Sequence, residues 1–120
     1  MTIHSKTVAQ PFTTSRSSDT SVTNSAQQAK SGSGTLVLVD IDNTNNGAIT
    51  YVKMWDATSI TVGTTSPDWI FMVPASIRRV FSIPKGLTFG TGLGYAAVTT
   101  GGTAGTTNPS SAVALRLAFT

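Results

Sequence analysis

Apolar residues fall along this chain in short runs, and no stretch repeats them at the spacing of an amphipathic helix. The dominant period is two, that of a strand whose successive side chains point to opposite faces. The strongest run is Thr35–Asp42. It begins apolar on both faces, with Leu36 and Leu38 on one and Val37, Val39 and Ile41 on the other, before Asp40 and Asp42 replace the leucines. Such a strand fits the interior of a packed sheet. In the Asn43–Gly47 stretch that follows, Asn46-Gly47 is a strong signal for a two-residue β-hairpin, because both residues tolerate positive φ. Ile49–Asp56 then returns as a strand, with Ile49, Tyr51, Lys53 and Trp55 on one face and Val52 and Met54 on the other. The pattern predicts a central hairpin over 35–56.

The rest of the chain reads as further short strands. Trp69–Val73 is one and stops at Pro74. Ile77–Ile83 is another, followed by a turn at Pro84-Lys85-Gly86. Leu87–Phe89 leads into alternating glycines at 90, 92 and 94, which mark a bulge, a bend or the close approach of another backbone. Tyr95–Thr99 continues, and Thr100–Ser110 is a low-complexity loop. Ala112–Thr120 has the cleanest alternation: Val113, Leu115, Leu117 and Phe119 face a core, while Ala112, Ala114, Arg116 and Ala118 form a small-residue face open to a neighbour. Upstream, 20–34 holds one weak strand, at Thr20–Asn24 or Ala26–Lys30, with a single helical turn at Gln27–Lys30 as the alternative. Residues 1–19 are polar with isolated apolar residues and read as a flexible or extended arm, in which Pro11 and Phe12 could anchor on a neighbouring subunit. The expected fold is all-β: a single antiparallel β-sandwich, jelly-roll or immunoglobulin-like, over 20–120, with an N-terminal arm at 1–19.

Composition agrees with strands. Of 120 residues, 35 are Ser or Thr, Glu is absent, and only 11% are charged, against about a quarter in an average chain. With no cysteine, disulfides and thiolate metal sites are excluded. The net charge is +3, but the bases are scattered. Only Arg78 and Arg79 are adjacent, and a strand points them to opposite faces. A nucleic-acid footprint is a cluster or stripe, so no nucleic-acid partner is expected. No apolar run reaches signal-peptide or membrane-span length, so the chain is expected to be made in the cytoplasm and to bind no membrane.

Candidate chemistry is sparse. His4 is the only histidine, and a nucleophile needs a base beside it. Asp40 and Asp42 share a face, but no acid–base setting surrounds them. The run from Asp40 to Gly47 imitates a calcium loop, yet its sixth and twelfth positions are Asn45 and Tyr51, where an EF-hand needs Gly and a bidentate Glu. Gly90–Gly94 lacks the Lys-Ser/Thr end of a phosphate loop. No catalytic group, cofactor or metal is expected. Tyr51, Trp55 and Trp69 could stack on sugar, although large aromatics more often fill a core.

One ordered set of blocks resembles a known group. Ile41-Asp42-Asn43-Thr44-Asn45-Asn46, Tyr51-Val52-Lys53-Met54-Trp55-Asp56, Thr61-Val62-Gly63-Thr64, Pro67, Val73-Pro74-Ala75 and Gly86-Leu87-Thr88-Phe89-Gly90-Thr91-Gly92-Leu93 follow the pattern of small structural proteins of tailed bacteriophages, including those of cyanobacteria. The resemblance spans roughly 35–99 and the final strand. It implies a virion β-sandwich present in many copies, carrying no functional residues of its own. The function expected on this basis is capsid decoration: a homotrimer bound to the major capsid protein on the outer surface of the head. The alternative is a tail or fibre module binding host-surface carbohydrate. The candidate contacts are Pro11, Phe12, Ala112, Ala114, Arg116 and Ala118 for the first, and Tyr51, Trp55 and Trp69 for the second.

Overall fold

The computed structural model describes residues 14–120. Eight strands follow in order: β1 Ser15–Val22, β2 Gln27–Ser31, β3 Gly34–Asp42, β4 Thr50–Trp55, β5 Trp69–Val73, β6 Arg78–Phe89, β7 Gly92–Val98 and β8 Val113–Phe119. They form two four-stranded sheets, β1-β8-β3-β6 (sheet A) and β2-β7-β4-β5 (sheet B), and every pairing is antiparallel. The pairs β1/β8, β2/β7, β3/β6 and β4/β5 are those of one long antiparallel ribbon folded on itself and then rolled up. That is the jelly roll, and it resolves the choice left open between jelly-roll and immunoglobulin-like sandwiches.

The core lies between the sheets. Val39 and Ile41 of β3, Val52 and Met54 of β4, Leu93, Tyr95 and Ala97 of β7, and Val113, Leu115, Leu117 and Phe119 of β8 all face inward. The alternation of β8 therefore places its residues as the sequence pattern predicts. In β3 the pairing register shifts between Leu36 and Leu38. This bulge lets Leu36 join Val39 and Ile41 in the core while Leu38 turns outward. Across the rim, the Phe71 and Phe81 rings close the gap between sheets at 5.0 Å. On the other side the Tyr95 hydroxyl donates to Asp19 Oδ2 at 2.8 Å, tying β7 to β1. Burial and that carboxylate hold the Tyr95 hydroxyl well above its ordinary pKa.

The largest departure from the sequence pattern is at 35–56. There is no central hairpin: β3 and β4 belong to opposite sheets. Gly47 does not take positive φ; among the described residues Gly32, Gly63, Gly86, Gly102 and Ser76 do. Asn43 and Asn46 are instead buried, with their side chains aimed at neighbouring backbone. Asn43 Nδ2 donates to Ala48 O at 3.1 Å, Pro74 O at 3.0 Å and Val73 O at 3.4 Å. Its Oδ1 accepts from Thr50 Oγ1 at 2.8 Å and Asn46 Nδ2 at 3.0 Å. Asn46 Nδ2 also donates to Ser111 O at 2.9 Å, and Asn46 Oδ1 accepts from Ser111 N at 2.8 Å. The turn chemistry of the Asn-rich run is thus used to move the chain between layers.

Two further expectations change. Ser15–Asp19 are strand, not arm: they pair with Phe119–Leu115 of β8. The strand read at Ala26–Lys30 does form, as β2, and its helical-turn alternative does not, because pairing with β7 outweighs a turn too short to stand alone. Pro84-Lys85-Gly86 is an insertion within one continuous β6, not a turn between two strands. Pro84 is tolerated there because β6 is an end strand of its sheet. Gly86 takes φ +72°, and an added Cβ would collide with the Thr35 side chain.

The Asn43 site gives a direct test. Asn43→Asp keeps the shape but removes the donor to three carbonyls and adds a buried charge. It is expected to lower stability by about 3 kcal/mol, measured as a shift in urea midpoint at unchanged slope.

Candidate functional site

The two outer faces of the sandwich differ. That of sheet B is covered by the chain's own loops. Tyr51, Lys53 and Trp55 all point outward from β4, yet Lys53 and Trp55 are fully buried. The 56–68 loop crosses over Trp55, whose Nε1 donates to Thr65 O at 2.9 Å. It also passes so close to β7 that a Cβ on Gly92 would lie 2.9 Å from Thr58 Cγ2, and one on Gly94 would overlap Ile60. The alternating glycines therefore admit a neighbouring chain segment. The 99–111 loop covers Lys53, whose Nζ donates to Gly105 O at 2.7 Å and Thr103 O at 3.3 Å. Gly101 lies against the Tyr51 ring. This loop reads from sequence as an unstructured connection, because nothing in the alternation shows that Lys53 is buried.

A carboxylate locks the first loop. Asp56 accepts from the amides of Gly90 (2.9 Å to Oδ2), Thr91 (2.8 Å to Oδ1) and Gly92 (3.3 Å to Oδ1). The concavity those amides form is an anion nest, already filled from within the chain.

Among the described residues, nothing covers the outer face of sheet A. Cross-strand register builds it in rows: Ser18, Arg116, Asp40 and Val80; then Arg16, Ala118, Leu38 and Ser82; then Ala114, Asp42 and Arg78. Ala118 and Leu38 make a small apolar floor, and a shallow groove of about 400 Å³ runs over it between Arg16 and Arg116. Arg116 and Asp40 sit opposite one another, but the Asp40 carboxylate is held by both Nε and Nη2 of Arg78. That is the only ion pair among the described residues. Each aspartate accepts hydrogen bonds within the fold: Asp19 from Tyr95 and Ser21, Asp40 from Arg78, Asp42 from Thr44, Asp56 from the glycine run, and Asp68 from the Asp56 amide. Arg16 and Arg116 are left without a carboxylate partner on an exposed face.

The sequence-derived contact residues divide accordingly. Ala114, Arg116 and Ala118 lie together on this bare face, and Ala112 is exposed just ahead of β8. Pro11 and Phe12 lie outside the described residues. The aromatic trio does not form a platform. Trp55 is 1% exposed and roofed by the 56–68 loop, Trp69 packs against the core, and Tyr51 is half-buried under Gly101. Sequence reasoning missed Arg16 and Leu38 as members of the bare face, because Arg16 fell in the expected arm and Leu38 read as part of the run apolar on both faces. No group of three or more His, Cys, Asp or Glu gathers among the described residues. The arrangement is an exposed sheet face that carries two cations among small side chains.

Comparison with protein-family models, with curated proteins and with solved structures found no match to this chain.

Two pH effects follow from the loop locks. The Gly90 and Thr91 amides hold the Asp56 carboxyl below its ordinary pKa. Its contribution to stability is therefore present above the unfolded-chain value and lost as pH falls through the folded one. Asp56→Asn is expected to flatten the acid side of a stability–pH profile followed by thermal unfolding. Burial lowers the pKa of Lys53 below 10.5. Here the unfolded chain holds the proton more tightly, so stability rises as pH climbs from the folded value toward 10.5. Lys53→Met is expected to abolish that alkaline gain and to speed amide hydrogen exchange across 99–111.

Proposed function

We propose that this chain is a non-enzymatic structural protein of a bacteriophage virion, a decoration subunit that binds the outer surface of an assembled capsid through sheet A. The observation that carries the reading is the asymmetry between the two faces. One sheet is covered over β4 and β7 by the chain's own loops; the other offers Ala114, Arg116, Ala118, Leu38 and Arg16 to a partner. A flat sheet with small side chains at its centre permits close, rigid contact with a large surface. Its two unpaired guanidiniums fit a partner that carries carboxylates. The ordered blocks that resemble phage structural proteins support a virion surface as that partner, and the reading taken is the major capsid protein.

A fold does not fix a function, so binding is the decisive measurement. Purified protein is mixed with undecorated capsids and sedimented. Wild type is expected in the capsid pellet, and Arg116→Glu is expected to bind about tenfold more weakly or worse. Recovery of the wild type only in the supernatant, or with purified tails and not heads by mass spectrometry, overturns the reading.

A further inference from the structure

The strand β5 reads Trp69-Ile70-Phe71-Met72-Val73 and contains no charge. It is the end strand of sheet B among the described residues. End strands expose unpaired backbone groups, and natural proteins guard them with charges, prolines or bulges. β5 has none of these. Ile70 is 42% exposed and Met72 44% exposed on its outer side. Its inner side chains Trp69, Phe71 and Val73 are anchored on the core, so the strand is held straight while its edge is open.

We infer that β5 pairs with β5 of a second copy of this chain, antiparallel about a two-fold axis, joining two sheets B into one eight-stranded sheet. Charge selects this edge over the others. A two-fold antiparallel pair sets each strand against its own reversed sequence. In β6 that would gather the cations Arg78, Arg79 and Lys85 of both copies along one seam, with Pro84 removing a donor. β2 pairs about Ala29 with Lys30 opposite Gln28 and would bury no large apolar pair. β1 is mostly Ser and Thr, with a register shift between Asp19 and Val22, and would bury little apolar surface. In β5 the pairing about Phe71 places Ile70 opposite Met72 of the second copy, twice over, as two apolar cross-strand pairs. Two side chains reach this backbone: Arg79, whose Nη1 lies 3.4 Å from Met72 O, and Asn43, whose Nδ2 lies 3.4 Å from Val73 O. That distance is at the limit of a hydrogen bond and is readily exchanged for a ladder bond.

The inference does not depend on capsid binding, since sheet A is not involved. The two-fold closure differs from the trimer implied by the family resemblance, and mass measurement separates them. Sedimentation equilibrium of the full chain is expected to show reversible association toward twice the monomer mass as concentration rises. Ile70→Lys/Met72→Lys, both at exposed positions, is expected to stay monomeric with an unchanged melting temperature. Val80→Lys on β6 is expected to associate as wild type does. Because the chain has no cysteine, register is testable as well. A mixture of Ile70→Cys and Met72→Cys chains is expected to form the mixed disulfide faster than either forms its own. A monomer at all concentrations, a trimer, undiminished association of the double-lysine variant, or no preference for the mixed disulfide overturns the inference.

Discussion

The fold depends on what happens to the backbone where the chain changes sheets. Six of the seven connections pass from one sheet to the other; only β4 to β5 stays within a sheet. Each crossing takes strand-end amides and carbonyls out of the ladder, and buried groups left unpaired are costly. Asn43 and Asn46 answer this for three crossings at one corner. Asn43 caps its own crossing at Ala48 O and the β5–β6 crossing at Pro74 O, and its amide donates to Ile77 O at 3.0 Å. Asn46 holds the β7–β8 crossing at Ser111 through both its donor and its acceptor. The two side chains then bond to each other. A primary amide suits this corner because it carries donors and an acceptor on one short, uncharged group. No buried side-chain polar atom among the described residues is left without a partner.

That corner lets the long loops do separate work. With crossings fixed at one end of the sandwich, the 56–68 and 99–111 loops are free to fold back over sheet B. They do so with unusual groups. Lys53 is a buried cation satisfied only by carbonyls, and Asp56 is a carboxylate satisfied by main-chain amides. Each ion faces the partial charge of backbone dipoles in place of a counter-ion. The alternating Gly92 and Gly94 lower the strand surface so that the first loop can lie against it. Sheet B is thereby a second, smaller interior over β4 and β7, and among the described residues sheet A keeps its outer face open to solvent.

Much of this was legible in the sequence and some was not, for physical reasons. Period-two alternation in β8 and β4 gave their facing residues, because side-chain direction in a strand is a local property. Partner choice is not local. Asn46-Gly47 carries the signal of a hairpin, yet the same Asn side chains serve better as bridges between distant carbonyls. Nothing within five residues distinguishes the two uses. The parity of Leu36 was misread because a bulge depends on the neighbouring strand and not on Val37 itself. Trp55 and Tyr51 shared a face as the alternation required, but whether that face is wet depends on loops distant in sequence. That Ala114, Arg116 and Ala118 share a face was legible because they sit on one strand. Arg16 and Leu38 were missed because they join them only through sheet pairing.

The charge distribution completes the asymmetry. A chain with 11% charged residues has little electrostatic steering to offer unless its charges are sorted, and here they are. The five aspartates are all engaged within the fold, whereas Arg16 and Arg116 flank an open groove floored by Leu38 and Ala118. Sorting of this kind does not arise from folding stability alone, since an Arg116–Asp40 pair would be the shorter route across adjacent strands. Arg78 occupies Asp40 from the other side, and the guanidinium at the centre of sheet A is left facing outward. A cation at the middle of a flat, small-residue sheet gains little from water that it would not gain more strongly from a carboxylate on an apposed surface. Sheet A is accordingly the face that the proposed capsid contact would use.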